Sequence, residues 1–140
     1  MLKSLIIFTL FFSLISCATT KNEIFLDRIL GLKTKSILYN GKEYNYIDKG
    51  GISFNPWLQL PTIKYNHTLL GNKSSSLIAL ILIDTEGKVE KVEIVKSSGF
   101  TEIDNATIEQ VVNTAKSKVW TIKGKPIRFA TYQRFVFYPF

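Results

Sequence analysis

The apolar positions of the chain fall into blocks with different periods. Positions 5–15 are apolar except for Thr9 and Ser13, and the only charge before Lys21 is Lys3. A charged start followed by an apolar core of about 11 residues is the pattern of a secretory signal peptide, assigned here to residues 1–16. A membrane-spanning helix usually needs ~20 apolar residues. Behind Asn22, a candidate N-cap, Phe25, Ile29 and Leu32 recur at helical spacing and predict a short helix over residues 22–32. Residues 36–47 place Ile-Leu-Tyr and Tyr-Asn-Tyr-Ile on either side of Asn40-Gly41, a favoured two-residue turn, and predict a β-hairpin. Gly50-Gly51 and Pro56 break the pattern before the next unit.

The C-terminal half is more regular. Residues 77–83 form a continuous apolar run whose length suits a buried strand over 75–83. Asp84-Thr85-Glu86-Gly87 reads as a turn with Gly at positive φ. Residues 88–96 alternate imperfectly, with Val89, Val92, Ile94 and Val95 among Lys and Glu, and complete a hairpin that Ser97-Ser98-Gly99 ends. Thr101 or Asp104 can cap the helix that follows, along which Ile108, Val111, Val112, Ala115 and Val119 form an apolar stripe. Gly124-Lys125-Pro126 starts a last strand with Ile127, Phe129, Phe135 and Phe137 on one face and Arg128, Tyr132, Arg134 and Tyr138 on the other. The expected fold is therefore α+β: a β-β-α-β domain over residues 61–140, with a three-stranded antiparallel sheet and one packed helix. A small helix and hairpin segment, residues 17–60, precedes it.

Composition narrows the function. In 140 residues, 46% are hydrophobic and 21% charged, ordinary values for a folded protein. One Cys excludes an internal disulfide framework, and one His excludes His-pair metal sites. No catalytic residues, metal or cofactor are expected, and the chain is read as a non-enzyme. The net charge of +7 comes from Lys and Arg scattered among Asp and Glu, a pattern that fits anionic surfaces better than nucleic acid. His67 lies in a polar stretch and is a weak ligand candidate. Three Asn-x-Ser/Thr triplets, at Asn66, Asn72 and Asn105, read as chance matches to the glycosylation sequon. Tyr39, Tyr44 and Tyr46 offer either an aromatic binding face or cross-strand packing.

Leu14-Ile15-Ser16-Cys17 resembles the bacterial lipobox, which implies lipidation of Cys17; the alternative is a short uncleaved anchor. Two or more acyl chains make such an anchor stable. Ala18 after the Cys, by resemblance to enterobacterial sorting, implies the outer membrane. The order of elements, together with Ile83-Asp84-Thr85-Glu86-Gly87-Lys88-Val89, Val92-Glu93-Ile94-Val95-Lys96-Ser97-Ser98-Gly99, Phe100-Thr101-Glu102-Ile103-Asp104-Asn105-Ala106, Trp120 and Gly124-Lys125-Pro126-Ile127, resembles the TonB C-terminal domain family. Leu60-Pro61 stands where that domain opens. The resemblance implies a periplasmic module that binds the short TonB-box peptide of an outer-membrane transporter by strand addition beside the last strand, residues 129–138. The implied partner-binding residues are Phe129, Thr131, Tyr132, Gln133, Arg134, Phe135 and Val136. Arg128 and Arg134 either attract acidic partner residues or guard an exposed edge. The family's Pro-rich spacer and its membrane helix with a functional His have no counterpart in residues 1–60. A structural or assembly scaffold in the cell envelope is the other function considered.

Overall fold

The computed structural model describes residues 23–25, 34–47 and 55–139. The strands are β1 (Glu23–Phe25), β2 (Thr34–Tyr39), β3 (Lys42–Ile47), β4 (Trp57–Gln59), β5 (Ser75–Ile83) and β6 (Val89–Lys96). A helix α1 (Thr101–Thr114) follows, then β7 (Lys116–Ser117), β8 (Val119–Ile122), β9 (Lys125–Ile127) and β10 (Phe129–Phe137). A 3-10 turn, His67–Leu70, precedes β5. The main sheet has the order β2-β3-β10-β5-β6.

Strand β5 is apolar on both faces because both are covered. Leu77, Ala79, Ile81 and Ile83 enter the main core, whereas Leu82 and the half-buried Leu80 belong to a second cluster with Tyr44 and Ala130. The turn from β5 to β6 is held by Asp84, whose Oδ1 accepts the N–H groups of Glu86 and Lys88 at 2.8 Å each. Gly87 sits at φ +82°, and a Cβ there would lie 2.4 Å from the carbonyl oxygen of Ser117. This position therefore needs glycine for both conformation and space. The same contact seats β7, because the Ser117 N–H donates to the Gly87 carbonyl at 2.9 Å.

Strand β6 alternates imperfectly because it carries two bulges. The register passes from Ile83↔Val89 to Leu82↔Lys91, and from Ala79↔Ile94 to Ile78↔Lys96, leaving Glu90 and Val95 as the extra residues. Helix α1 presents Ile103, Thr107 and Val111 to the main core, with Ala106, Ile108 and Val112 packed at its margin. The Asp104 side chain does not cap its own helix. It reaches back to the Ser97-Ser98-Gly99 corner, where Oδ1 accepts the Ser98 N–H at 2.9 Å and its hydroxyl at 2.6 Å. Burial disfavours the Asp104 charge, but hydrogen bonds from Ser97 and Ser98 outweigh it and hold the carboxyl below its ordinary range.

Five expectations are corrected. The sheet has five strands rather than three, because the hairpin β2–β3 does not stand apart. Its second strand pairs in parallel with the head of β10, at Phe129↔Asn45 and Ala130↔Tyr46. Within the expected helix 22–32, residues Glu23–Phe25 are instead a strand whose backbone pairs in parallel with β8; the remaining residues of that helix lie outside the described ones. The helical stripe ends at Ala115, and Val119 belongs to β8. The last strand starts later than Gly124: Lys123 and Gly124 form a turn at φ 50° and 75° that folds β9 back on β8. Neither Thr101 nor Asp104 is the N-cap, a place taken by Phe100 without a side-chain hydrogen bond.

The Asn40-Gly41 hairpin holds, with φ of 49° and 70° at its two turn residues. Trp120 is a core plug, stacked on Phe129 with ring centroids 4.0 Å apart. The tyrosines pack: Tyr39 lies 6.4 Å from Tyr44, and Tyr46 meets Tyr132 edge-on at 5.4 Å. Tyr44 is clustered with Ala130 of β10 and Leu82 of β5, and its hydroxyl donates to Glu90, the bulged residue of β6. Lys42 pairs with the other Glu90 oxygen at 2.8 Å. Hydrogen bonds from Lys42 and then Tyr44 keep the Glu90 carboxyl below its ordinary range. Desolvation first, and then Glu90, pushes the Tyr44 hydroxyl up to about 12.

A raised phenol pKa means that folding favours the protonated form. Its contribution is complete below the ordinary value of 10.0 and is lost as pH rises through about 12. Tyr44→Phe is expected to cost about 2 kcal/mol at neutral pH, because it leaves the partly buried Glu90 Oε2 without its hydrogen-bond donor. Denaturant titrations of both proteins should converge as pH rises from 10.0 to about 12. A constant difference across that range would show that Tyr44 does not hold the hairpin through its proton.

Candidate functional site

A β-strand has two hydrogen-bonding sides, and its backbone groups alternate between them. Strand β10 uses one side completely: it pairs antiparallel with β5 from Phe129↔Ile83 to Phe137↔Ser75. On the other side β3 reaches only Phe129 and Ala130. Among the described residues no strand pairs with residues 131–137 on that side. The expectation that β10 is the edge strand of the sheet is thus corrected. It is an interior strand at its head and an open edge along the rest of its length.

The parity of the open side follows from its two ends. The Arg128 carbonyl accepts the Asn45 N–H at 3.0 Å, so Arg128 faces the β3 side. At the far end the Tyr65 hydroxyl donates to the Tyr138 carbonyl at 2.9 Å and accepts the Tyr138 N–H at 3.2 Å. Period-two alternation then points the backbone groups of Tyr132, Arg134 and Val136 outward, and those of Thr131, Gln133 and Phe135 toward β5. The Gln133 side chain covers part of the open side. Its Nε2 donates to the Arg134 carbonyl at 2.8 Å, and its Oε1 accepts Trp57 Nε1–H at 2.9 Å.

A groove of about 600 Å³ adjoins this edge, between residues 61–65 with His67 and residues 135–139. Gln110 of α1 fixes its outer wall as a neighbouring strand would. The Lys64 N–H donates to Gln110 Oε1 at 2.9 Å, and Gln110 Nε2 donates to the Lys64 carbonyl at 2.8 Å. Tyr65 packs edge-on against Phe137 at 5.0 Å and lies 4.1 Å from the His67 ring.

The residues expected to bind a partner divide by side chain. Tyr132, Arg134 and Val136 are exposed, at 45% for Tyr132 and 43% for Val136, and Gln133 is half-buried. Phe129, Thr131 and Phe135 are buried and can support a partner but not touch it. Sequence reasoning missed Trp57, the groove wall 61–65 and Gln110, and it placed Tyr138 in the binding strand without a role of its own. In the sequence this wall is marked by Leu60-Pro61 at its start and by Tyr65 as an aromatic residue within a polar segment. Cys17 lies outside the described residues. Among the described residues no helix is long and apolar enough to cross a membrane.

Among the described residues, one α-helix packs on a mixed five-stranded sheet whose last strand keeps an open side, which defines a small α+β domain. Residues 71–139 match the family model for the Gram-negative bacterial TonB protein C-terminal. No curated protein and no solved structure matches the chain.

Proposed function

We propose that this chain is a TonB-like binding module of the bacterial cell envelope. It captures an extended peptide of an outer-membrane transporter by strand addition along β10 and acts by binding rather than by catalysis. The observation that carries this reading is the open side of residues 131–137 next to the groove walled by residues 61–65. Strand addition needs unpaired main-chain groups for affinity and side-chain pockets for selection. The outward N–H and C=O groups of Tyr132 and Val136 and the N–H of Arg134 supply the first; the groove supplies the second. The peptide displaces the Gln133 amide from the Arg134 carbonyl. The Lys64 backbone keeps its wall because Gln110 holds it independently.

The anchor is part of the same proposal: Cys17 carries the lipid, and the domain faces the periplasm, with the outer membrane favoured by Ala18. The lipobox-like Leu14-Ile15-Ser16-Cys17 supports it. A scaffold role is supported by one observation, namely that the chain uses the head of β10 for its own strand β3.

Two measurements test the proposal. Proline removes a backbone N–H, which a sheet tolerates only where that group points outward. Arg134→Pro should fold yet lose at least about tenfold in affinity, ~1.4 kcal/mol, for peptides from the N-termini of TonB-dependent transporters. Gln133→Pro should lower the melting temperature sharply, because its N–H faces β5, and Arg134→Ala should bind nearly as the parent does. A folded Arg134→Pro protein that binds like the parent would move the scaffold reading ahead. For the anchor, mass spectrometry of the purified protein should find acyl chains on Cys17, and Cys17→Ser should release the protein from the membrane fraction. An intact Met1 on the mature protein would overturn it.

A further inference from the structure

We propose that the face of the sheet opposite the helix carries a binding site for a phosphate-type oxyanion, built from Lys96, Arg134 and the serines at the ends of β5 and β6. The site is a shallow depression of about 400 Å³ lined by Ser74, Ser75, Ser76, Lys96, Ser97, Ser98, Arg134 and Val136. No carboxylate is among these residues.

The placement of the two cations is a product of the fold. Arg134 pairs with Ile78 on β5, and Ile78 pairs with Lys96 on β6, so the three form one row across the sheet. Residues directly opposite in an antiparallel sheet share a face. Strict alternation from Ile94, which packs on the main core, would turn Lys96 toward that core. The bulge at Val95 turns it outward instead, onto the face of Arg134. Two strand spacings separate β10 from β6, about 10 Å, which leaves room for one tetrahedral anion between two long side chains.

Among the described residues Lys42 and Arg128 pair with Glu90, and Lys91 with Glu93, whereas Lys96 and Arg134 have no carboxylate partner. Arg134 Nη2 approaches only Ser76 Oγ, at 3.4 Å, which leaves the Ser76 hydroxyl proton free to donate. Ser75 and Ser98 spend their hydroxyl protons within the corner, on the Ser98 carbonyl and on Asp104. They make a rigid floor and keep the Asp104 Oδ1 engaged. Donors thus come from three sides, and two positive charges match a phosphate monoester of about −2 better than one planar carboxylate.

The site uses the side chain of Arg134, whose backbone belongs to the strand-addition edge, but Lys96 and the serines take no part in that edge. Two sources present the same chemistry: free phosphate and the phosphate of a lipid headgroup.

The test is a titration of the full chain with inorganic phosphate at low salt, followed by the amide resonances of Ser74, Ser76, Lys96 and Ser97. Saturable shifts are expected at these positions. Lys96→Gln should weaken binding by about tenfold, with an unchanged melting temperature and unchanged peptide capture; Lys96→Arg should restore it. Lys125→Gln, an exposed cation elsewhere, should bind as the parent does. A parallel arm floats the Cys17→Ser protein with vesicles of phosphatidylcholine containing phosphatidic acid, whose headgroup is a phosphate monoester. Flotation that Lys96→Gln abolishes assigns the site to a headgroup; phosphate binding without flotation assigns it to the free anion, and both support the oxyanion site. Shifts that fail to saturate, or that are the same in Lys96→Gln, would overturn it.

Discussion

The structure depends on the unequal use of the two sides of β10. One side is satisfied by β5 through nine consecutive residue pairs, which fixes the register of the domain. The side chains that this register turns inward, Phe129, Phe135 and Phe137, meet Trp120 and the buried face of α1 in one core. Slipping the register by one residue would carry these three rings out to the opposite face and bring Tyr132 and Arg134 inside. The rest follows from that constraint. The even-numbered residues must present their backbone groups away from β5, and among the described residues a strand fills this second side only at its head, with β3.

The opposite face of the sheet is organised by small departures from regular alternation. Ala130 is short enough to admit the Tyr44 ring beside it, and the bulge at Glu90 supplies the acceptor for the Tyr44 hydroxyl. A bulge re-aims one side chain without breaking a strand, and both bulges of β6 do so with a charged residue. Glu90 anchors the hairpin, and Lys96 joins Arg134 across Ile78. The face therefore has an apolar end under the hairpin and a basic, serine-lined end beyond it.

Much of this was legible in the sequence. The run 77–83, the Asp84-to-Gly87 turn, the helix from Thr101 and the alternation of β10 each arise from local periodicity or turn chemistry, and each stands in the structure. The Asn40-Gly41 hairpin was legible for the same reason. Its docking on β10 was not, since strand pairing across more than eighty residues leaves no mark on the spacing of either segment. The strand at Glu23–Phe25 was misread because three residues paired with β8 carry no period of their own. The turn at Lys123-Gly124 was hidden because a non-glycine residue takes positive φ there. The candidate site was legible as a strand but not as a side of that strand: outward parity depends on what pairs with Arg128 and Tyr138, and the groove wall is held by a glutamine on the helix.

The account stands on the claim that residues 131–137 of β10 have one side free for a partner. Hydrogen exchange resolved at single amides reads this directly. Without partner, the amides of Thr131, Gln133 and Phe135 should be protected by β5, and those of Tyr132, Arg134 and Val136 should exchange quickly. On addition of a transporter N-terminal peptide, the second set should become protected while the first hardly changes. Protection of Tyr132, Arg134 and Val136 in the free protein, or no change when peptide is bound, would contradict the account.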